Sequence, residues 1–246
     1  MPRVKLPSGL GRRALVVASL ADASTLVADA RRAVKDGADL LEVRADLFPK
    51  TFLKPERLQR ILKTLRRESR RPILLTLRMG EEGGGLSVNF REVDRLGLFR
   101  AALAEVNGVD IELSAVEINR HVVFEAHKRG RFVILSSHHF KNTPSNVALS
   151  GFVRKAKRLG GDLLKVAAQP SNRQDVVRLM DFCAKTPFRR RAFIAMGPLG
   201  LQSRVDGFRN GSLLTYGYVR RPLAPGQWPV RRLAAAVKQS SLVTPK

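Results

Sequence analysis

Along this chain short apolar runs alternate with longer segments of helical periodicity. The runs are ALVVASL at 14–20, DLLEVRADL at 39–47, RPILLTLR at 71–78, VDIELSA at 109–115, RFVILSSHHF at 131–140, GDLLKVAAQ at 161–169, RAFIAMG at 191–197 and SLLTYGYV at 212–219. Each has the length and the apolar, often β-branched content of a buried strand. Between them lie amphipathic stretches such as PERLQRILKTLRRES at 55–69 and FREVDRLGLFRAALAEV at 90–106, and no Pro/Gly/Ser-rich linker interrupts the alternation. Eight strand-then-helix units in 246 residues predict a (β/α)8 TIM barrel, with an open doubly wound sheet as the alternative. The expected domain is a single barrel over 1–246, with 1–13 a basic N-terminal extension and 240–246 a flexible tail.

Barrel strands bury one face against the helices and turn the other inward, and inward side chains near the C-terminal strand ends line the mouth. Alternation along LEVRADL then sends Leu41 and Val43 outward and Glu42, Arg44 and Asp46 inward. The same rule turns Thr76 and Arg78 inward on the third strand, Asp110, Glu112 and Ser114 on the fourth, Ser136 and His138 on the fifth, and Lys165 with Leu163 and Ala167 on the sixth. Buried charges are costly unless paired or functional, so so many polar groups at one end describe either a polar pocket or an internal ion-pair network. Their convergence on one lysine and one histidine favours the pocket. A lysine flanked by Leu164 and Val166 in a partly dehydrated site has its neutral amine favoured by desolvation and by neighbouring arginines, which suits imine formation with a ketone.

Charge narrows the partners without choosing among them. The 45 Lys plus Arg against 21 Asp plus Glu leave +24, a field that gathers anions of any size. The basic residues are dispersed in pairs (Arg12-Arg13, Arg66-Arg67, Arg70-Arg71, Arg231-Arg232), so a solvated surface is expected and nucleic acid only non-specifically, if at all. The basic start MPRVKLPSGLGRR followed by an apolar stretch imitates a signal peptide, but that stretch is short and reads as the first strand. The lone cysteine, Cys183, excludes an internal disulfide and any Cys-rich metal site, and fits a reducing, cytoplasmic setting. No run is long enough to span a membrane.

Nucleotide-binding, zinc-protease and hydrolase motifs are absent. His138 and His139 are adjacent on a strand and face opposite ways, so no shared metal is expected, while His121 and His127 read as helix-surface residues. The run GEEGGGL at 80–86 lacks a phosphate-loop lysine and reads as a mobile loop after the third strand.

The segments EVRAD at 42–46, LTLRMGEEGG at 75–84, SSHHFKNTP at 136–144, DLLKVA at 162–167, AMGPLGLQSR at 195–204, NGSLLTYG at 210–217 and APGQ at 224–227, in this order and spacing, resemble the type I 3-dehydroquinate dehydratases, Schiff-base hydro-lyases of the shikimate pathway. The resemblance implies dehydration of 3-dehydroquinate without metal or cofactor, by a homodimeric cytoplasmic enzyme. Lys165 resembles the imine-forming lysine, His138 the proton-transfer histidine and Glu82 the carboxylate that orients it. Glu42, Arg44 and Arg78 match positions that hold the substrate's hydroxyls and ring, Arg204 the carboxylate-binding arginine and Gln227 the closing-loop glutamine.

Two positions depart from the pattern. The family usually has Asp where this chain has His139, and Ser where it has Leu223 before Ala224-Pro225-Gly226-Gln227. His139 should point away from the mouth and alter only the surroundings of its neighbour, whereas Leu223 removes a hydrogen bond to substrate. Two other readings compete: a different class I lyase or aldolase acting on another keto acid, and a catalytically decayed basic barrel that binds nucleic acid. Retention of Lys165, His138, Glu82 and Arg204 together argues against decay.

Overall fold

The computed structural model describes residues 1–242. Strands β1 (Leu15–Leu20), β2 (Leu40–Arg44), β3 (Ile73–Thr76), β4 (Gly108–Glu112), β5 (Phe132–His139), β6 (Leu163–Ala168), β7 (Arg191–Ala195) and β8 (Leu214–Tyr218) alternate with helices α1 (Leu26–Lys35), α2 (Pro55–Ser69), α3 (Glu92–Ala102), α4 (Asn119–Lys128), α5 (Asn146–Leu159), α6 (Arg173–Lys185), α7 (Ser203–Asp206) and α8 (Val230–Leu242). A two-residue strand, β9 (Trp228–Pro229), pairs with β8. All pairings are parallel, in the order β7-β6-β5-β4-β3-β2-β1-β8-β9. Between β7 and β8 the ladder shrinks to one bridge, Arg191 with Ser212, held by Leu213 N–H donating to Arg191 O at 2.7 Å. That bridge closes the curled sheet into the expected (β/α)8 barrel.

Helix α2 shows why the local pattern was readable. Pro55 occupies its first turn, where no intrahelical donor is lost, Leu58, Leu62 and Leu65 form one buried stripe, and Arg70 ends it in the left-handed region at φ 52°. Helix α5 is capped by the Ser145 hydroxyl, which accepts from Ala148 N–H at 3.2 Å, and stops at Gly160, φ 78°.

The strands divide the core in two. Leu41, Val43, Ile111 and Val166 belong to the outer layer against the helices, whereas Leu15, Val17, Leu40, Leu74, Phe132, Ile134 and Leu163 fill the barrel. Along β2 and β5 the inward positions change from apolar to polar toward the C-terminal end, Leu40 to Glu42 to Arg44 and Ile134 to Ser136 to His138, and on β6 Leu163 gives way to Lys165, whereas β7 stays apolar through Ala192 and Ile194. The lower barrel is therefore a dry plug and the upper barrel a polar mouth.

Two expectations change, and the N-terminal extension gains a definite place. The second strand ends at Arg44, because residues 45–47 turn into a 3-10 helix that carries the Asp46 carboxylate back onto the Arg44 guanidinium (2.7 and 3.0 Å). In the N-terminal extension Val4, Leu6 and Leu10 pack against the inner core from below, and Lys5 N–H donates to Gly130 O at 3.0 Å. The tail expected from 240 is helical through Leu242, and its remainder, 243–246, lies outside the described residues. No helix among the described residues is long and apolar enough to cross a membrane.

Candidate active site

All eight nominated side chains border a single cavity at the barrel mouth, with about 510 Å³ of unfilled space, part of it open to solvent. Glu42 and Arg44 come from β2, Arg78 and Glu82 from the segment after β3, His138 from β5, Lys165 from β6, Arg204 from α7, and Gln227 from the loop before β9. Ser19, Phe140, Met196, Tyr216 and Leu223 complete the wall.

Lys165 lies at the floor. Its Nζ donates to Asp110 Oδ2 at 3.1 Å, stands 3.9 Å from Glu42 Oε1 and sits 4.0 Å over the ring of Tyr216. Burial pulls its pKa down, Asp110 and Glu42 pull the other way, and Arg78 adds to the lowering; the net direction is down. For Asp110 burial acts upward but Arg78, Lys165 and the Ser136 hydroxyl prevail, leaving it ionised with a pKa of about 2. Glu42 is held by the Ser19 hydroxyl (2.6 Å) and the Thr76 hydroxyl (2.9 Å).

His138 stands above the lysine. Glu82 Oε2 accepts from its backbone N–H at 2.8 Å and pairs with its Nδ1 at 3.1 Å, while Glu82 Oε1 accepts from Ser114 Oγ at 2.6 Å. Arg78 Nη1 lies against both ring nitrogens, 3.0 Å from Nδ1, and its Nη2 donates to Asp110 Oδ1 at 2.6 Å. Burial, then the charges of Arg78, Lys165 and Arg44, hold the imidazole well below its usual pKa, so it is neutral at pH 7. Burial raises Glu82 to about 7, opposed by Ser114 and reinforced by Glu112. The neutral imidazole can take a proton, and the carboxylate beside it can orient and stabilise the cation that results.

The opposite wall offers donors. Arg204 is buried, its Nη2 donates to Pro225 O at 2.8 Å, its Nε has no partner, and no carboxylate pairs with it among the described residues. Burial alone brings its pKa down to about 10. Gln227 accepts at Oε1 from the N–H groups of Leu223 (2.7 Å) and Ala224 (3.2 Å), which turns its amide nitrogen, a donor, to the open side. An unpaired buried guanidinium beside a free amide is a seat for a small carboxylate.

Not every inward position lines the cavity. Asp46 holds Arg44 and accepts from Gly85 N–H at 3.1 Å; Glu112 turns toward Arg95 and the Met79 backbone; Ser114 reaches Glu82 from outside. The glycine run at 80–86 is not the loose loop its composition suggested. Gly84 N–H bonds to Met79 O at 2.9 Å and Gly80 N–H to Leu86 O at 2.8 Å. A Cβ at Gly84 would fall 2.0 Å from Arg78 O, so the run is glycine because backbone packs on backbone there, and the packing presents Glu82 to His138. His139 turns away from the mouth, stacking on Phe152 of α5 at 5.3 Å between ring centres, with Ser137 Oγ 2.9 Å from its Nε2. Sequence reasoning left out Ser19, Asp110 and Tyr216 as site residues; strand alternation pointed at Asp110, while Ser19 and Tyr216 carry no charge to draw notice.

Residues 15–243 match the family described as type I 3-dehydroquinase. The chain belongs to that family. A 3-dehydroquinate dehydratase of Methanosarcina acetivorans is 35% identical over 232 residues, covering 91% of this chain and 93% of that one. Another, from Thermodesulfovibrio yellowstonii, is 32% identical over 193 residues, covering 78% of this chain and 80% of its own length. Among solved structures, the 3-dehydroquinate dehydratase of Geobacillus kaustophilus superposes with a TM-score of 0.89 at 27% identity, covering 96% of this chain and 94% of its own.

Proposed function

We propose that this 3-dehydroquinase-family chain dehydrates 3-dehydroquinate to 3-dehydroshikimate through a Schiff base on Lys165. The observation that carries the reading is a buried lysine of lowered pKa beneath a neutral histidine, faced by an unpaired buried arginine.

The Lys165 amine adds to the substrate ketone, and water is lost to give an iminium that Asp110 and Glu42 balance electrostatically. With Nδ1–H given to Glu82, His138 keeps its Nε2 lone pair for the proton next to the iminium carbon. Arg78 covers that nitrogen in the free protein, so substrate must draw the guanidinium onto its own oxygens to expose the base. Proton removal gives an enamine. Its electrons expel the neighbouring hydroxyl as His138 returns the proton, and the hydroxyl departs as water. Hydrolysis of the conjugated iminium frees the enone and restores Lys165; no electrons enter or leave, and the balance is the loss of one water. Arg204 and Gln227 hold the substrate carboxylate, while Glu42 and Arg44 hold its hydroxyls and ring.

The test is borohydride reduction in the presence of 3-dehydroquinate, followed by peptide mapping. Mass added at Lys165 in the native protein and none in Lys165→Ala supports the reading; mass on another lysine, or none, overturns it.

The same reading takes the enzyme to be cytoplasmic and homodimeric. Support for self-association comes from Val147 and Val177, largely exposed on neighbouring α5 and α6, and light scattering checks it. Nucleic acid should bind only weakly and through its backbone, with affinity falling steeply as salt rises; sequence preference at physiological salt would contradict this.

A further inference from the structure

Behind the mouth, and outside the cavity, lies a charge that the chemistry above does not use. Arg95, on α3, is fully buried (0% exposed). Its Nε donates to Leu77 O at 2.7 Å, its Nη1 to Glu92 Oε1 at 3.0 Å, and its Nη2 pairs with Glu112 Oε2. The other oxygen of Glu112, Oε1, accepts from Met79 N–H at 3.0 Å. Leu77 and Met79 flank Arg78 in sequence, so one buried ion pair grips the backbone on both sides of that arginine. Between the two grips, Arg78 O accepts from Leu86 N–H at 3.2 Å, which ties the glycine-rich turn to the same point. Glu112 Oε1 also stands 3.7 Å from Arg78 Nε, an atom that lacks a hydrogen-bond partner in the cavity wall.

An ion pair with no solvent contact is a poor device for stability alone, since an apolar pair of similar volume avoids its desolvation cost. Its geometry here suits a different use. We propose that Arg95 and Glu112 are positioning residues: together they clamp residues 77–79, and so fix where Arg78 meets His138 and where the following turn sets Glu82 beneath the imidazole. The inference rests on the dehydratase reading and adds to it two residues that never reach the substrate. The clamp serves the proton-transfer half of the reaction, because Arg78 and Glu82 both bear on His138, while Lys165 is held separately by Asp110 and Glu42.

That division supplies the experiment. Arg95→Met removes the grip on Leu77 O and leaves Glu112, which holds Met79 N–H, without its partner, and Arg95→Lys keeps the charge but cannot bridge Leu77 O and Glu112 together. Each purified variant is compared with the native enzyme by thermal melting, borohydride trapping with 3-dehydroquinate, and the pH profile of kcat. The expected result is a kcat roughly 10- to 100-fold lower, as misplacement by about an ångström costs a proton transfer. Imine trapping at Lys165 should stay within about threefold of native, and the kcat profile should shift on the limb set by Glu82 and His138. Arg95→Lys should recover part of the loss. Unchanged kcat and pH profile in a folded Arg95→Met, or a fall in trapping that matches the fall in kcat, overturns the clamp while the dehydratase reading stands. Absence of turnover and trapping in the native protein overturns the reading itself. Should neither Arg95 variant fold, the isosteric Glu112→Gln, which exchanges one grip's charge for an amide, is judged by the same outcomes.

Discussion

Lys165 Nζ and Asp110 Oδ2 lie 3.1 Å apart at the floor of the mouth cavity, both buried. The pair sets a compromise: burial lowers the lysine's pKa and Asp110 works against that lowering, while its other oxygen anchors Arg78 and the Ser136 hydroxyl. Asp110→Asn removes the counter-charge, so the pH at which trapping of the imine is half-maximal should move down. Turnover should fall by about tenfold or more, because Arg78 loses its charged anchor. Trapping yield against pH, with kcat alongside, checks both; an upward shift would mean that Asp110 acts on the lysine by something other than charge.

A second expectation concerns stability and pH. Glu82, raised to about 7 from 4.5 in the folded protein, binds its proton more tightly folded than unfolded, so its contribution is fully present below pH 4.5 and is lost as pH rises through 7. The swing is about 3 kcal/mol, at about 1.4 kcal/mol per unit. His138 runs the other way: its depressed pKa favours the folded state above 6.5 and costs stability as pH falls from there. The two partly cancel in the native protein. Glu82→Gln removes the carboxyl's titration and leaves that of His138 as the remaining one of the pair, so relative to native the variant should gain about 3 kcal/mol between pH 4.5 and pH 8. Chemical denaturation across that range tests the sign as well as the size.

The barrel and most of its mouth were legible because two periods coincide: an alternation of two along each strand separates Leu41 and Val43 from Glu42 and Arg44, and the run of apolar then polar inward positions marks which end is open. What the pattern could not carry was geometry between elements. Arg95 lies on the same stripe of α3 as Leu98, Phe99 and Ala102, a charge at an apolar position, but nothing local says that Glu112 waits across the interface. The glycine run misled for a related reason. Glycine is common in loose loops and in tight backbone contacts alike, and only the close approach of Arg78 O to Gly84 distinguishes them.

Leu223 is the departure that touches the cavity directly. Its N–H is engaged by Gln227, and its side chain brings an apolar wall near Arg204 and Gln227, where substrate oxygens should lie. Leu223→Ser should restore a hydrogen bond worth about 1 kcal/mol and lower the KM for 3-dehydroquinate by about fivefold, with kcat little changed. A raised KM would mean that this pocket prefers a substrate with an apolar group at that place, and would bring forward the alternative keto acid.

His138 and His139 share a dipeptide and point to opposite faces of β5, one into the mouth between Glu82 and Arg78, the other onto Phe152 behind the strand. The two substitutions to alanine therefore separate chemistry from packing. His138→Ala should lower kcat by at least about 100-fold, the usual scale for a lost acid–base group. The imine at Lys165 should still form, because that step needs the amine and its surroundings more than the imidazole. His139→Ala gives up a stacked ring pair and the bond with Ser137 Oγ, so the effect should fall mainly on the melting temperature, with kcat within about tenfold of native. Steady-state kinetics and melting curves on the two purified variants decide the matter: equal losses of kcat, or the greater loss at His139, would mean that proton transfer does not run through the inward face of β5.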